Sequence, residues 1–348
     1  MIEIFIWVVF SLLGIQLLIL ALLIGWKMKN LARENEIRKM MVILKPQFEQ
    51  YIKGTQQAEP SLPAAKRNRF KLMERMLDEF LAEDLQEEQK TAIHILADKH
   101  LAEHYRRTLK KGNWAERINA LYFIEDFRLF SLKEDVYQHF AKIGKRDEEF
   151  RQCIRVCATL QEVRLMDAAV ESKDLSFGMI KELLYRLDED LLKMTLGRMQ
   201  SKEDISENML YAFISFSGEH QIDMIFPFVE KKLLDERKEV RLKAMSSLCN
   251  YKKMTDPAIL SGFFDSKHWQ ERMYAAKLTG ACHFEQYKPN LIYLLSDNIW
   301  WVRFAGAENL KVFRGGNHVL EQVSTDHADA YARDIAKHML TREGANFT

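Results

Sequence analysis

Cysteine is scarce in this chain, with four residues in 348, and Cys153 and Cys157 stand one helical turn apart in an apolar segment. With no second pair and no histidine at a recognised ligand spacing, they do not form a zinc motif and read as buried thiols compatible with a reducing compartment. Runs of alternating β-branched residues are also missing, which leaves no sequence basis for a sheet. The sequence contains no Gly-x-x-x-x-Gly-Lys-Ser/Thr loop, no Gly-x-Gly-x-x-Gly turn, no Gly-x-Ser-x-Gly elbow and no His-Glu-x-x-His, so the common phosphate, dinucleotide, serine-nucleophile and zinc-protease signatures are absent. An excess of charge is lacking too: 51 basic residues face 50 acidic ones for a formal charge of +1. That balance gives no broad field to attract nucleic acid.

What is present is a period. Arg241, Arg272 and Arg303 recur at 31-residue steps, each followed three residues later by a small residue, Ala244, Ala275 or Gly306. Pro227, Pro257 and Pro289 each precede an aspartate, Asp235, Asp265 and Asp297, by eight residues, with apolar Leu234, Phe264 and Leu295 between them. The arginine follows six or seven residues after the aspartate. Each residue type has a physical reason to be there. Proline lacks an N–H and fits the first helical turn. Aspartate caps free N–H groups at a helix start and meets the positive end of the dipole. The arginine can bridge aspartates of its own and adjacent units, and the small residue lets helices approach. Asp256-Pro257 reads as a cap followed by a first turn. Over about residues 221–313 this pattern resembles the HEAT repeat. The resemblance implies stacked helical hairpins, none of which buries its apolar face alone. It also implies that second helices line the concave side. The aspartates and arginines are then structural.

The rest of the chain follows the plan with more drift. Tryptophan precedes arginine by three residues in Trp114/Arg117, Trp269/Arg272 and Trp300/Arg303. Helical spacing of apolar residues predicts helices near 132–143, 147–160, 177–187, 189–199 and 204–217, with Ser131/Glu134 and Ser201/Asp204 at capping-box spacing. A break at Gly315-Gly316 and a final helix over Asp329–Leu340 read as a cap. The expected class is all-α: an α-solenoid of HEAT-like hairpins, about seven or eight pairs over 65–348, preceded by one transmembrane helix.

That first helix is read from Ile4–Trp26, 23 residues without a charge. At about 1.5 Å per residue they span roughly 35 Å, enough for a hydrocarbon core of about 30 Å. Trp7 and Trp26 lie near its ends, where indoles favour the interface. No Lys or Arg precedes it and no Ala-x-Ala site follows, which favours an anchor over a cleaved signal peptide. Lys27, Lys29, Arg33, Arg38, Lys39 and Lys45 follow it, so the basic side is expected in the cytoplasm and a very short N-terminus outside. The expected division is an anchor over 1–26, a juxtamembrane helix and linker over 27–64, and the solenoid over 65–348, the linker character lying in Gly54 to Pro63.

The functional expectation is a single-pass scaffold that holds a protein partner at the cytoplasmic face of a membrane, with the bilayer itself contacted through residues 4–26. No cofactor and no catalytic residue is assigned, nucleic acid is not an expected partner, and the chain is not expected to be an enzyme. Candidate partner-binding positions are Lys243, Tyr274, Lys277 and, first among them, Trp301, whose neighbour Trp300 already fills the repeated position. Two alternatives stay open. HEAT-like proteins that act on alkylated DNA bases use tryptophans, and Trp114, Trp269, Trp300 and Trp301 could serve such a nucleic-acid-binding role. A metal-binding enzyme could use His94, Asp98, His100 and His104, of which His100 and His104 share a helix face.

Overall fold

The structure, a computed structural model, describes residues 2–62, 66–144, 146–171, 175–201 and 205–344. Among them there are helices and turns and no strand. Residues 1–160 and 161–348 form two compact units, a division that the expected single array over 65–348 does not make.

The first unit holds α1 (Ile2–Ile52), α2 (Lys66–Leu81), α3 (Glu87–Lys111), α4 (Trp114–Asp126), α5 (Lys133–Phe140) and α6 (Glu148–Thr159). From Leu12 onward α1 is long and apolar enough to cross a membrane, and its apolar window is wholly unburied. The same helix continues without a break through Pro46, which faces outward where water can satisfy the carbonyl one turn back. Its far half is not a free connector. Ile37, Met41, Leu44, Phe48 and Ile52, at helical spacing, are buried, as are Leu72, Met73, Met76, Leu77 and Phe80 of α2, the helix it packs against. Polar contacts flank this seam: Arg33 donates to Asn68 and Asn68 to Glu36, each at 2.8 Å, while Lys71 and Arg75 converge on Glu34. The linker composition near Glu59 is misleading in the same way, because Glu59 pairs with Lys99 at 2.5 Å and with His100 at 2.6 Å on α3. Pro63 and Ala65, at the expected linker end and domain start, lie outside the described residues.

The second unit runs through α7 (Val163–Glu171), α8 (Phe177–Leu184), α9 (Glu189–Ser201), α10 (Glu207–Glu219), α11 (Phe226–Lys231), α12 (Lys238–Tyr251), α13 (Ser261–Phe264), α14 (Trp269–Ala281), α15 (Lys288–Leu294), α16 (Trp300–Leu310), α17 (Gly316–Asp326) and α18 (Ala330–Gly344). Helices α10, α12, α14, α16 and α18 pack successively side by side, and α11, α13, α15 and α17 each pack on the helix that follows. Pro227, Pro257 and Pro289 sit in first turns, and Asp256 accepts the Ala258 N–H at 2.9 Å ahead of Pro257. Close approach has its own residues. A Cβ at Gly306 would meet the Leu291 carbonyl of α15 at 3.0 Å, and one at Gly218 would come 2.7 Å from the Ser247 backbone of α12.

Several expectations shift. Ser131 does not cap α5: it lies in a short 3-10 turn and its hydroxyl donates to Asp98 at 2.6 Å. Ser201 ends α9, Asp204 lies outside the described residues, and Ser206 caps α10 by accepting from Met209 at 3.3 Å. Helix α7 has no counterpart among the predicted segments. Leu234 is 70% exposed, and its neighbour Leu233 takes the core position, because the preceding helix ends in a 3-10 turn that rotates the register.

Candidate partner-binding face

The arginine row is built from local turns. Arg241 Nη1 donates to the Asp235 carbonyl at 2.8 Å, Arg272 to the Ser266 carbonyl at 2.7 Å, Arg303 to the Asp297 carbonyl at 2.7 Å and Arg333 to the His327 carbonyl at 2.6 Å. In every case the acceptor lies six residues before the arginine. Its side chain also takes the N–H two residues further on: Asp235 from Arg237, Ser266 from His268, Asp297 from Ile299 and His327 from Asp329. This corrects the expected Asp265, whose place in the turn belongs to Ser266. It also adds Arg333, hidden from the 31-residue count by a step of 30.

From Arg241, Arg272 and Arg303 the rest of the guanidinium reaches the following helical layer. Arg241 pairs with Glu271 at 2.6 Å, and Arg272 grips Asp297 through two nitrogens at 2.6 and 2.9 Å. Among the described residues Arg303 has no such carboxylate in ion-pair range, and it lies 4.8 Å from the Tyr331 ring centre. In the first unit Arg117 does similar work from one residue closer, donating to the Gly112 carbonyl, five residues back, at 2.8 Å and to both oxygens of Glu149. Arg117 holds the Glu149 carboxyl below its ordinary value, against the opposing effect of burial and with help from His139. Arginine suits this task because one planar fork serves a carbonyl and a carboxylate together. The tryptophans three residues earlier are the first residues of α4, α14 and α16.

With the arginines turned toward the seams, the outward surface of the second helices is left to other residues. Lys243 and Tyr274 are one 31-residue step apart and occupy equivalent positions on α12 and α14. Trp301 continues the row of Glu239 and Gln270, and Lys277 continues the row of Ser215 and Ser246. Glu239, Gln270, Lys243, Tyr274, Ser215 and Ser246 line one cleft of about 520 Å³, closed at one side by Phe177. Lys243 Nζ lies 5.0 Å from the Phe177 ring centre, and Lys277 Nζ lies 5.4 Å from that of Tyr274. Trp301 is 57% exposed and packs edge-on against Trp300, which stacks on Phe304. The four residues expected at a partner surface thus belong to three rows of one face. Lys243 and Tyr274 share the cleft, while Lys277 and Trp301 extend its rows. Sequence reading missed the cleft's Ser246, Asn250, Gln270 and Phe177. Applying the 31-residue step to every position of the second helices, and not to the arginine alone, would have found Ser246 and Gln270.

The histidines of the metal alternative go to separate partners. His94 Nδ1 donates to the Phe127 carbonyl at 2.8 Å, His100 meets Glu59, and the His104 ring centre is 3.6 Å from that of Phe70. Burial lowers the pKa of both His94 and His104. No group of three metal-ligating side chains forms among the described residues. Burial also pushes the Cys153 thiol well up, Cys249 to about 12 and Cys282 to about 11, so none is a ready thiolate.

No family model matches the chain, and no curated protein matches it. Among solved structures it is similar to the crystal structure of an engineered protein, with 15% identity over 78% of each chain and a TM-score of 0.25.

Proposed function

We propose that this chain is a membrane-tethered adaptor: a HEAT-like array of helical pairs that holds a protein partner on the exposed face of its second helices. The observation that carries the reading is the concentration of Lys243, Tyr274, Lys277 and Trp301 on that face, in register rows that the turn-forming arginines leave free. Arrays of this kind present extended surfaces and recruit few catalytic groups. The unburied apolar stretch of α1 supplies the tether, and the basic residues from Lys27 onward favour a cytoplasmic location for the helices beyond it. Tethering raises the effective concentration near a membrane client, so a modest intrinsic affinity suffices.

The test is recovery of co-purifying chains from gentle detergent. Full-length protein should bring down a partner, Trp301→Ala should reduce that recovery about tenfold or more at unchanged helicity, and removal of residues 1–26 should leave face-dependent binding intact. Recovery that depends on residues 1–26 and ignores Trp301 would place the partner in the bilayer and defeat this reading.

A further inference from the structure

Among the described residues, Lys243 in the cleft and Lys277 beside it keep their charge unpaired, while the carboxylates that line the cleft do not. Two carboxylates line it, and both are already matched: Glu219 pairs with Lys181, and Glu239 lies 3.1 Å from Lys238. Lys243 and Lys277 have no carboxylate within ion-pair distance among the described residues. Each is held instead against a ring, Phe177 or Tyr274, which keeps the ammonium at the face without neutralising it. Cations elsewhere on this chain are commonly consumed by carboxylates, as in the Lys45–Glu79, Lys71–Glu34 and Lys253–Asp223 pairs.

We propose, on the premise that the second-helix face binds a protein, that its occupant is an extended acidic segment whose carboxylates engage Lys243 and Lys277 while an apolar side chain packs on Trp301. The two lysines stand on adjacent helices, α12 and α14, about 10 Å apart by ordinary helix packing. An extended chain covers that distance in about three to four residues, and side chains four apart face the same way. Ser246, Asn250 and Gln270 between and beside them offer hydroxyl and amide groups to the backbone of such a segment. A nucleic acid would supply negative charge as well, but its affinity comes from neutralising many phosphates. Two lysines on a nearly neutral chain do not provide that.

The experiment uses full-length protein in detergent micelles and a short fluorescein-labelled peptide with one phenylalanine and glutamates about four residues apart, on one side of an extended chain. Its glutamine analogue, a lysine analogue and labelled oligothymidylate are the comparators, and binding is read by fluorescence anisotropy. The glutamate peptide should bind, and its glutamine analogue should bind about tenfold more weakly. Lys243→Gln with Lys277→Gln should cause a similar loss. Lys243→Glu with Lys277→Glu should invert the preference toward the lysine analogue, a gain that a misfolded protein cannot show. Equal binding of the glutamate and glutamine peptides, no binding of either, or tighter binding of oligothymidylate would overturn the proposal. If a co-purifying chain is lost with Trp301→Ala yet untouched by the lysine substitutions, the acidic assignment fails while the adaptor reading stands. If no chain depends on the face at all, the adaptor reading fails first.

Discussion

The two units solve one problem, joining neighbouring helices, by different means. In the second unit a single device recurs: an arginine binds the carbonyl six residues back, at Arg241, Arg272, Arg303 and Arg333, and the first three also reach the next layer. In the first unit Arg117 makes a variant of that device on a carbonyl five residues back, and other joints are individual: an apolar stripe of α1 against α2, the Glu59 pair with α3, and Tyr105 donating to Glu74 at 2.6 Å. Repetition makes a joint legible and also interchangeable. An individual joint is neither, and its failure has no equivalent elsewhere.

The largest expected effect tests whether the repeated joints are equal. Arg272→Met removes a carbonyl cap and leaves Asp297, whose side chain is 8% exposed, without its cation, at an expected cost of about 3–5 kcal/mol. Arg303→Met loses the carbonyl and the Tyr331 ring and strands no carboxylate, so about 1–2 kcal/mol is expected. Denaturant melts of the two variants in the same detergent should separate them clearly. Equal losses would mean that the carbonyl cap, and not the carboxylate, carries the joint.

Within the first unit, acid should next distinguish the arginine joint from an individual one. Glu149 is held below the ordinary glutamate value of 4.5, chiefly by hydrogen bonding to Arg117. A carboxylate with a depressed folded-state pKa contributes stability that is fully present above the unfolded value and is lost as pH falls through the folded one. Glu74 has the opposite sign, because burial raises it, and it disfavours the fold once ionised. Glu149→Gln should therefore lower stability at neutral pH and flatten the loss below about pH 4.5. Glu74→Gln should leave neutral stability equal or higher. Hydrogen exchange in α4 and α6 across pH reads the Glu149 effect directly. A Glu149→Gln protein as stable as the parent at neutral pH would remove this pair from the account.

Much of the second unit was legible because its joints use residue types with narrow geometry. Arginine, the preceding tryptophan, first-turn proline and the small residue all recur in fixed places. Legibility ended where the acceptor was a backbone carbonyl, which any residue supplies. Ser266 for Asp265 and His327 for an aspartate are the same turn in different letters. Register also escaped notice where a helix tightened, as at Leu233 and Leu234. Of the candidate face, four residues were visible and the cleft was not. Among its walls are Ser215, Ser246, Asn250 and Gln270, whose types are ordinary on any helix surface. The stripe of α1 was masked by the basic residues interleaved with it, which read as a topology signal while Ile37 to Ile52 were forming a core.

A smaller effect asks whether the period reaches the ends of the second helices. Gln221, Lys252 and His283 follow α10, α12 and α14 at 31-residue steps with φ of 51°, 54° and 55°, in the left-handed region that favours glycine. After α16 the 31-residue place is Arg314, which has no positive φ, and the left-handed residue is Gly315 at φ 78°, one position later, ahead of α17. Lys252 is exposed, and its N–H donates to the Leu248 carbonyl at 2.9 Å, a bond that glycine retains. Lys252→Gly should therefore relieve about 1–2 kcal/mol of backbone strain while losing about 0.5–1 kcal/mol to the freer unfolded chain, a small net stabilisation. Gln221→Gly differs, because the Gln221 amide donates to the Asn250 carbonyl at 3.0 Å across to the end of α12. Loss of that bond, about 1 kcal/mol, should cancel the gain. Calorimetric melting of the two variants should show Tm rising for Lys252→Gly and unchanged for Gln221→Gly. A fall in Tm for Lys252→Gly would mean that the lysine at this turn makes a contact worth more than the strain it bears.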